Sequence, residues 1–140
     1  MHANILIFLV FGVAAVAFVA PFFFGKRKAQ EEIGLTPLYE DRYCRILSGF
    51  GGAGSYGGYG RVTFYENFLV ASLFSPKVVP YHEIKLASIV KIRWYPFISL
   101  TFDRELLGFS KTLQFSSAEP ERILAIVRHK CPGATLVSRA

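Results

Sequence analysis

The chain has 140 residues, with 16 Lys+Arg against 10 Asp+Glu and a formal charge of +6. That length allows one small domain with an appendage and excludes a two-domain enzyme with a cleft between its halves. A hydrophobic content of 52% excludes a disordered chain, and two cysteines exclude a disulfide-built scaffold. The positive mean hydropathy of +0.36 calls for a membrane segment.

Residues 3–24 supply that segment, since none of them carries a charge. As a helix they reach about 33 Å, enough to cross a hydrocarbon core of about 30 Å. A cleaved signal peptide needs a basic start, which Met1, His2, Ala3 and Asn4 do not provide. Lys26, Arg27 and Lys28 follow the apolar run at once. Excess positive charge stays on the cytoplasmic side, so these three residues set the topology: N-terminus out, remainder in the cytoplasm at the cell membrane. Cys44 and Cys131 are then free thiols in a reducing compartment.

Residues 25–42 read as a basic, polar linker, broken by Gly34 and Pro37. As a flexible chain of this length it spans roughly 20–25 Å. From residue 43 the pattern turns to β. Residues 43–48 form a first strand candidate, followed by a glycine tract over 49–60. Val62 and Phe64 alternate on one face of the next strand, Glu66-Asn67 turns the chain, and 68–73 return. Residues 78–81 suit an edge, because Pro80 cannot donate to a ladder. Residues 86–93 form the next strand, with Val90 and Ile92 facing in and Lys91 and Arg93 out. Trp94-Tyr95-Pro96 reads as a turn. Ile98, Leu100 and Phe102 then alternate with Ser99 and Thr101. Asp103-Arg104-Glu105 reads as another turn, and 108–115 close the series with Leu113 and Phe115 inward.

The end is helical from Pro120, a residue suited to the first helical position. Ile123, Ile126 and Val127 share a face with Leu124. Glu121 in the first turn and Arg128, His129 and Lys130 in the last favour the helix dipole. Pro132-Gly133 stops the helix, leaving 134–140 as a tail.

About seven short antiparallel strands and one C-terminal helix resemble the pleckstrin-homology (PH)-like small barrel, over residues 43–133. The closest likeness is to bacterial PH and GRAM-type domains. Gly60-Arg61-Val62-Thr63-Phe64-Tyr65-Glu66-Asn67-Phe68-Leu69-Val70 looks like their hairpin, and Val79-Pro80-Tyr81-His82-Glu83-Ile84 like the step that follows it. The resemblance implies a binding domain for lipid, peptide or protein, and fold alone does not choose among these. In lipid-binding members, basic residues on the first two strands hold head-group phosphates. Arg45 and Arg61 occupy such places, but Thr63 stands where a further basic residue is usual.

Two clusters are candidate partner surfaces. One is the glycine tract, seven glycines in twelve residues, interleaved with Phe50, Tyr56 and Tyr59 and flanked by Arg45 and Arg61. Gly49-x-Gly51-x-x-Gly54 fits a dinucleotide fingerprint in spacing only, because a strand and not a helix follows. The other is Lys91, Arg93, Trp94, Tyr95 and Phe97, where amphipathic rings sit beside cations. Cys44, His82, His129 and Cys131 lack zinc-site spacing, so no metal or cofactor is expected. No catalytic motif is present, and half of the net charge lies in the 26–28 cluster, which argues against nucleic acid. The sequence thus predicts a non-enzymatic, single-pass adaptor that binds a protein within a membrane complex. The alternative is a reader of anionic lipid through Arg45, Arg61, Lys91 and Arg93.

Overall fold

A computed structural model describes residues 28–47, 58–73, 75–92, 94–106 and 110–138. The predicted membrane segment at 3–24 lies outside the described residues. Among those described, no helix is long and apolar enough to cross a membrane.

Among the described residues the protein is mainly β, with one C-terminal α-helix. Its strands are β1 (Tyr39–Leu47), β2 (Gly58–Phe64), β3 (Phe68–Ser72), β4 (Pro76–Pro80), β5 (Ile84–Ile92), β6 (Tyr95–Leu106), β7 (Ser110–Ser116) and β8 (Thr135–Ser138). The helix α1 (Pro120–Lys130) lies between β7 and β8. The strands form one sheet in the order β4-β3-β2-β1-β7-β6-β5-β8. Neighbours run antiparallel except β8, which is parallel to β5. This architecture is compatible with a PH-like fold.

Four expectations about strand bounds and order are corrected. The first strand begins at Tyr39 and not at 43, because Leu38 N–H already donates to the Phe64 carbonyl (2.7 Å). Residues 103–105 continue β6 instead of turning; the chain reverses between Leu106 and Ser110, which pair. Among the described residues the sheet has eight strands in an open mixed order, not about seven antiparallel strands in a barrel. The eighth comes from the expected tail: Leu136 and Val137 pair with Ala87 and Ser88 and cover an edge of β5. An uncovered edge would present a row of unpaired peptide groups to other chains.

The core forms as the alternation dictates. Val62 and Phe64 on β2, Ile98 and Leu100 on β6, and Leu113 and Phe115 on β7 are all fully buried. On β5 the predicted faces are reversed. Ala87 and Ile89 enter the core, while Val90 and Ile92 are only half-buried on the other side. Four β-branched or apolar residues on alternating faces made both registers plausible from sequence; packing selects the one that faces α1. That helix buries Ile123, Leu124 and Val127 as expected. Lys130 reaches Glu66 at the β2–β3 turn, and the Arg122 guanidinium lies 5.1 Å from the centre of the Tyr39 ring. Cys44 and Cys131 are both buried free thiols; burial pushes Cys44 up to about 12 and Cys131 up to about 11.

The segment before β1 is also ordered by the sheet. Residues 30–32 make a 3-10 turn, and Ala29 packs with Tyr65 and Val70 in a second apolar cluster. The stretch expected as a linker over 25–42 is therefore docked on the sheet at Ala29 and Glu32, and from Tyr39 it belongs to β1.

Candidate binding site

β1 changes register between Asp41 and Cys44, and beyond that irregularity its side chains alternate strictly. Cys44 and Ile46 enter the core, which leaves Tyr43, Arg45 and Leu47 on the opposite face. Pairing places Tyr59 of β2 beside Arg45. On the other flank, Arg45 N–H donates to the Ser116 hydroxyl (2.8 Å), and Ser116 pairs with Phe97 on β6. The β5–β6 hairpin, closed by the Ile92–Tyr95 pair, brings in Ile92, Trp94 and Tyr95.

These residues line a cavity of about 660 Å³ on the face of the sheet that the main core does not use. Its floor is apolar: Phe97 is 3% exposed, and both it and Leu47 are buried although they belong to neither core cluster. Its walls are Tyr43, Tyr59, Tyr95 and Trp94, which are 62%, 60%, 70% and 92% exposed. Four large aromatic side chains with this much free surface around one depression are unusual for a surface that has no partner. Arg45 is exposed in the same cavity, and among the described residues its guanidinium makes no ion pair.

The two surfaces that the sequence kept apart thus meet. Arg45 before the glycine tract and Tyr59 within it join Trp94, Tyr95 and Phe97 from the β5–β6 tip. Tyr43, Leu47, Ile92 and Ser116 were missed. The alternation Tyr43-x-Arg45-x-Leu47 was the available signal for two of them. Ile92 was assigned to the core face by the reversed β5 register. Lys91 is exposed, but it follows the parity of Ile89 and does not line the cavity. Phe50, Tyr56, Arg93, Lys26 and Arg27 lie outside the described residues, while Lys28 is exposed.

Arg61 is a correction. Expected as a surface cation, it is 5% exposed and points into the protein. Its guanidinium holds the Glu32 carboxylate through two bonds, Nη1 to Oε1 at 2.6 Å and Nη2 to Oε2 at 2.8 Å. Tyr65 Oη donates to Glu32 Oε1 (2.9 Å), and Ala29 N–H donates to Oε2 (2.5 Å). Arg61 Nη1 also donates to the Thr63 hydroxyl (3.0 Å) and lies 3.7 Å from Glu40. Burial alone would raise the Glu32 carboxyl, but the donors from Arg61, Ala29 and Tyr65 outweigh it and hold the group below its ordinary value. Burial and the neighbouring carboxylate push the Tyr65 phenol up to about 12. The Thr63 that departs from the lipid-binding pattern is thus a ligand of Arg61 inside this network. Glu32 lies in the stretch expected to be a polar linker, where nothing local marks a carboxylate whose partner is 29 residues away.

No protein-family model matches the chain, and comparison with curated proteins finds no match. The site's chemistry is therefore read from its own groups. The described lining residues offer a guanidinium, three phenols, an indole N–H and a serine hydroxyl over an apolar floor. This set donates hydrogen bonds and buries apolar surface. It contains no carboxylate, imidazole or thiol to act as a base near neutral pH.

Proposed function

We propose that this chain is a non-catalytic adaptor: a PH-like domain, anchored by a helix over residues 3–24, that receives a protein partner in the cavity beside Arg45. The observation that carries this reading is the pairing of one uncommitted guanidinium with a ring of exposed Tyr and Trp over a buried apolar floor. Tyr, Trp and Arg are the residues in which protein–protein binding energy concentrates. A partner that fits offers an apolar side chain to Leu47 and Phe97 and an acidic group to Arg45.

Lipid reading is the weaker alternative. It relied on four cations, at about 1 kcal/mol each near an anionic surface. Arg61 is withdrawn into the Glu32 pair, and Lys91 does not line the cavity.

The test is purification of the full-length chain in mild detergent, with mass spectrometry of what stays bound. A stoichiometric protein is expected to survive a high-salt wash on the native chain and to be lost from Arg45→Glu and Trp94→Ala. Retention on both variants sinks the assignment of the site. Binding of anionic lipid alone, released by salt, moves the function to the lipid alternative.

A further inference from the structure

The large apolar side chains that are exposed among the described residues fall into two groups. Tyr43, Tyr59, Trp94 and Tyr95 surround the cavity; Ile33, Leu35 and Leu38 form the other. The second group sits on the segment just after the basic cluster, and Ile33 is 73% exposed. These three side chains are not held out by a loose chain. The segment is fixed at its start by the Glu32 network and by Ala29 in its apolar cluster. It is fixed at its end by the bond from Leu38 N–H to the Phe64 carbonyl. Between them, Leu35 N–H donates to the Glu32 carbonyl (3.2 Å), and Gly34 turns the backbone at φ +80°, a conformation that side chains other than glycine's disfavour.

We propose that residues 29–38 are a rigid collar that lays Ile33, Leu35 and Leu38 into the head-group layer of the bilayer. The occupant of this apolar strip is lipid. The proposal rests on the reading of residues 3–24 as a membrane span. Given that span, the chain has little slack. From Phe24 to the docked Ala29 is a step of five residues, at most about 17 Å when fully extended. The head-group layer is itself about 5–8 Å deep on each side. A tether of 18 residues, the length of the expected linker, would let the domain wander; a tether of five keeps the collar within about 17 Å of the end of the span. Lys28, exposed beside Ala29, faces the anionic side of that layer. The apolar strip thus continues the membrane anchor onto the domain.

The test uses the full-length chain in vesicles of phosphatidylcholine and phosphatidylglycerol. An environment-sensitive fluorophore is placed singly at Ile33→Cys, Leu35→Cys, Lys111→Cys or Phe8→Cys. Cys44 and Cys131 are buried and leave the label to the new thiol. Lys111 is exposed on β7, six residues from Ser117, whose hydroxyl meets Tyr39; along a strand that is about 20 Å. Quenching by a lipid with a shallow nitroxide is expected to be several-fold stronger at 33 and 35 than at 111. Equal quenching at 33, 35 and 111, with the label at position 8 quenched by a deep nitroxide, overturns the collar and leaves the span standing. An unquenched label at position 8 overturns the span and the collar with it. In Glu32→Gln, quenching at 33 is expected to fall toward the level at 111. Unchanged quenching there would show that the strip inserts without the latch, and would overturn its rigid attachment.

Discussion

Arg61 and Glu32 are ions of opposite charge placed where water does not reach them, and the consequence is lopsided. Together they satisfy each other and hold the segment before β1. Alone, either one is an uncompensated buried charge, worth about 3–5 kcal/mol of lost stability. Arg61→Met is therefore expected to lower the unfolding midpoint of the full-length protein in detergent far more than Arg42→Met, whose pair with Glu40 is exposed. Equal effects would show that the buried pair is not a latch. The pH dependence follows from the direction of the Glu32 shift. Its folded-state value lies below the ordinary 4.5, so its contribution is complete above that value and is lost as the pH falls through the folded value. Native protein is expected to lose thermal stability on acidification below about pH 4.5, and Glu32→Gln to lose less over the same range.

At the scale of elements, the glycine tract runs into β2, where its last glycine meets a neighbouring strand. Gly60 ends it inside β2. A Cβ there would stand 2.5 Å from the Ser72 carbonyl oxygen and 2.6 Å from Ile46 Cδ1. The first neighbour is backbone of a paired strand and cannot step aside, so Gly60→Ala must push β2 from β3. The expected cost is about 1–3 kcal/mol, read as a lower unfolding midpoint together with faster amide exchange in β2 and β3. A midpoint matching the native chain would mean that the sheet relaxes around the methyl group.

For the molecule as a whole, the arrangement separates two faces of one sheet. The inner face builds the core with α1; the outer face carries the docked segment over β2 and β3 and the aromatic cavity from β2 across to β5. Arg61 and Tyr59 lie two residues apart on β2, on the same face, so the latch and the cavity wall share a strand. Trp94 is the only tryptophan and is 92% exposed at the cavity rim. Its emission in the free protein is expected at the wavelength of solvated indole, and it should shift to the blue when a partner enters. Emission that is blue-shifted without a partner, or that stays unchanged on binding, would place the partner elsewhere.

Much of this protein was fixed by local pattern. The alternation of Val62 with Phe64 and of Ile98, Leu100 and Phe102, the turn at Glu66-Asn67, the edge position of Pro80 and the helix from Pro120 to Lys130 are set by neighbours a few residues away. For that reason they were readable from the chain alone. So was the chemistry of the site, Tyr and Trp beside Arg, although not its assembly. What the tertiary structure decided depends on distant pairs. Arg61 became an internal ion because Glu32 reaches it across 29 residues. Thr135–Ser138 became a strand because β5 had an open edge. Ile92 became cavity lining because Ile89 won the core. Arg45 and Trp94, 49 positions apart by number, became one site because β1, β7, β6 and β5 are successive neighbours in the sheet. A side chain's chemistry is a local property and can be read in order along the chain. Which face it turns to, and which charge meets it there, is set by strand register and burial, and those exist only once the sheet has formed.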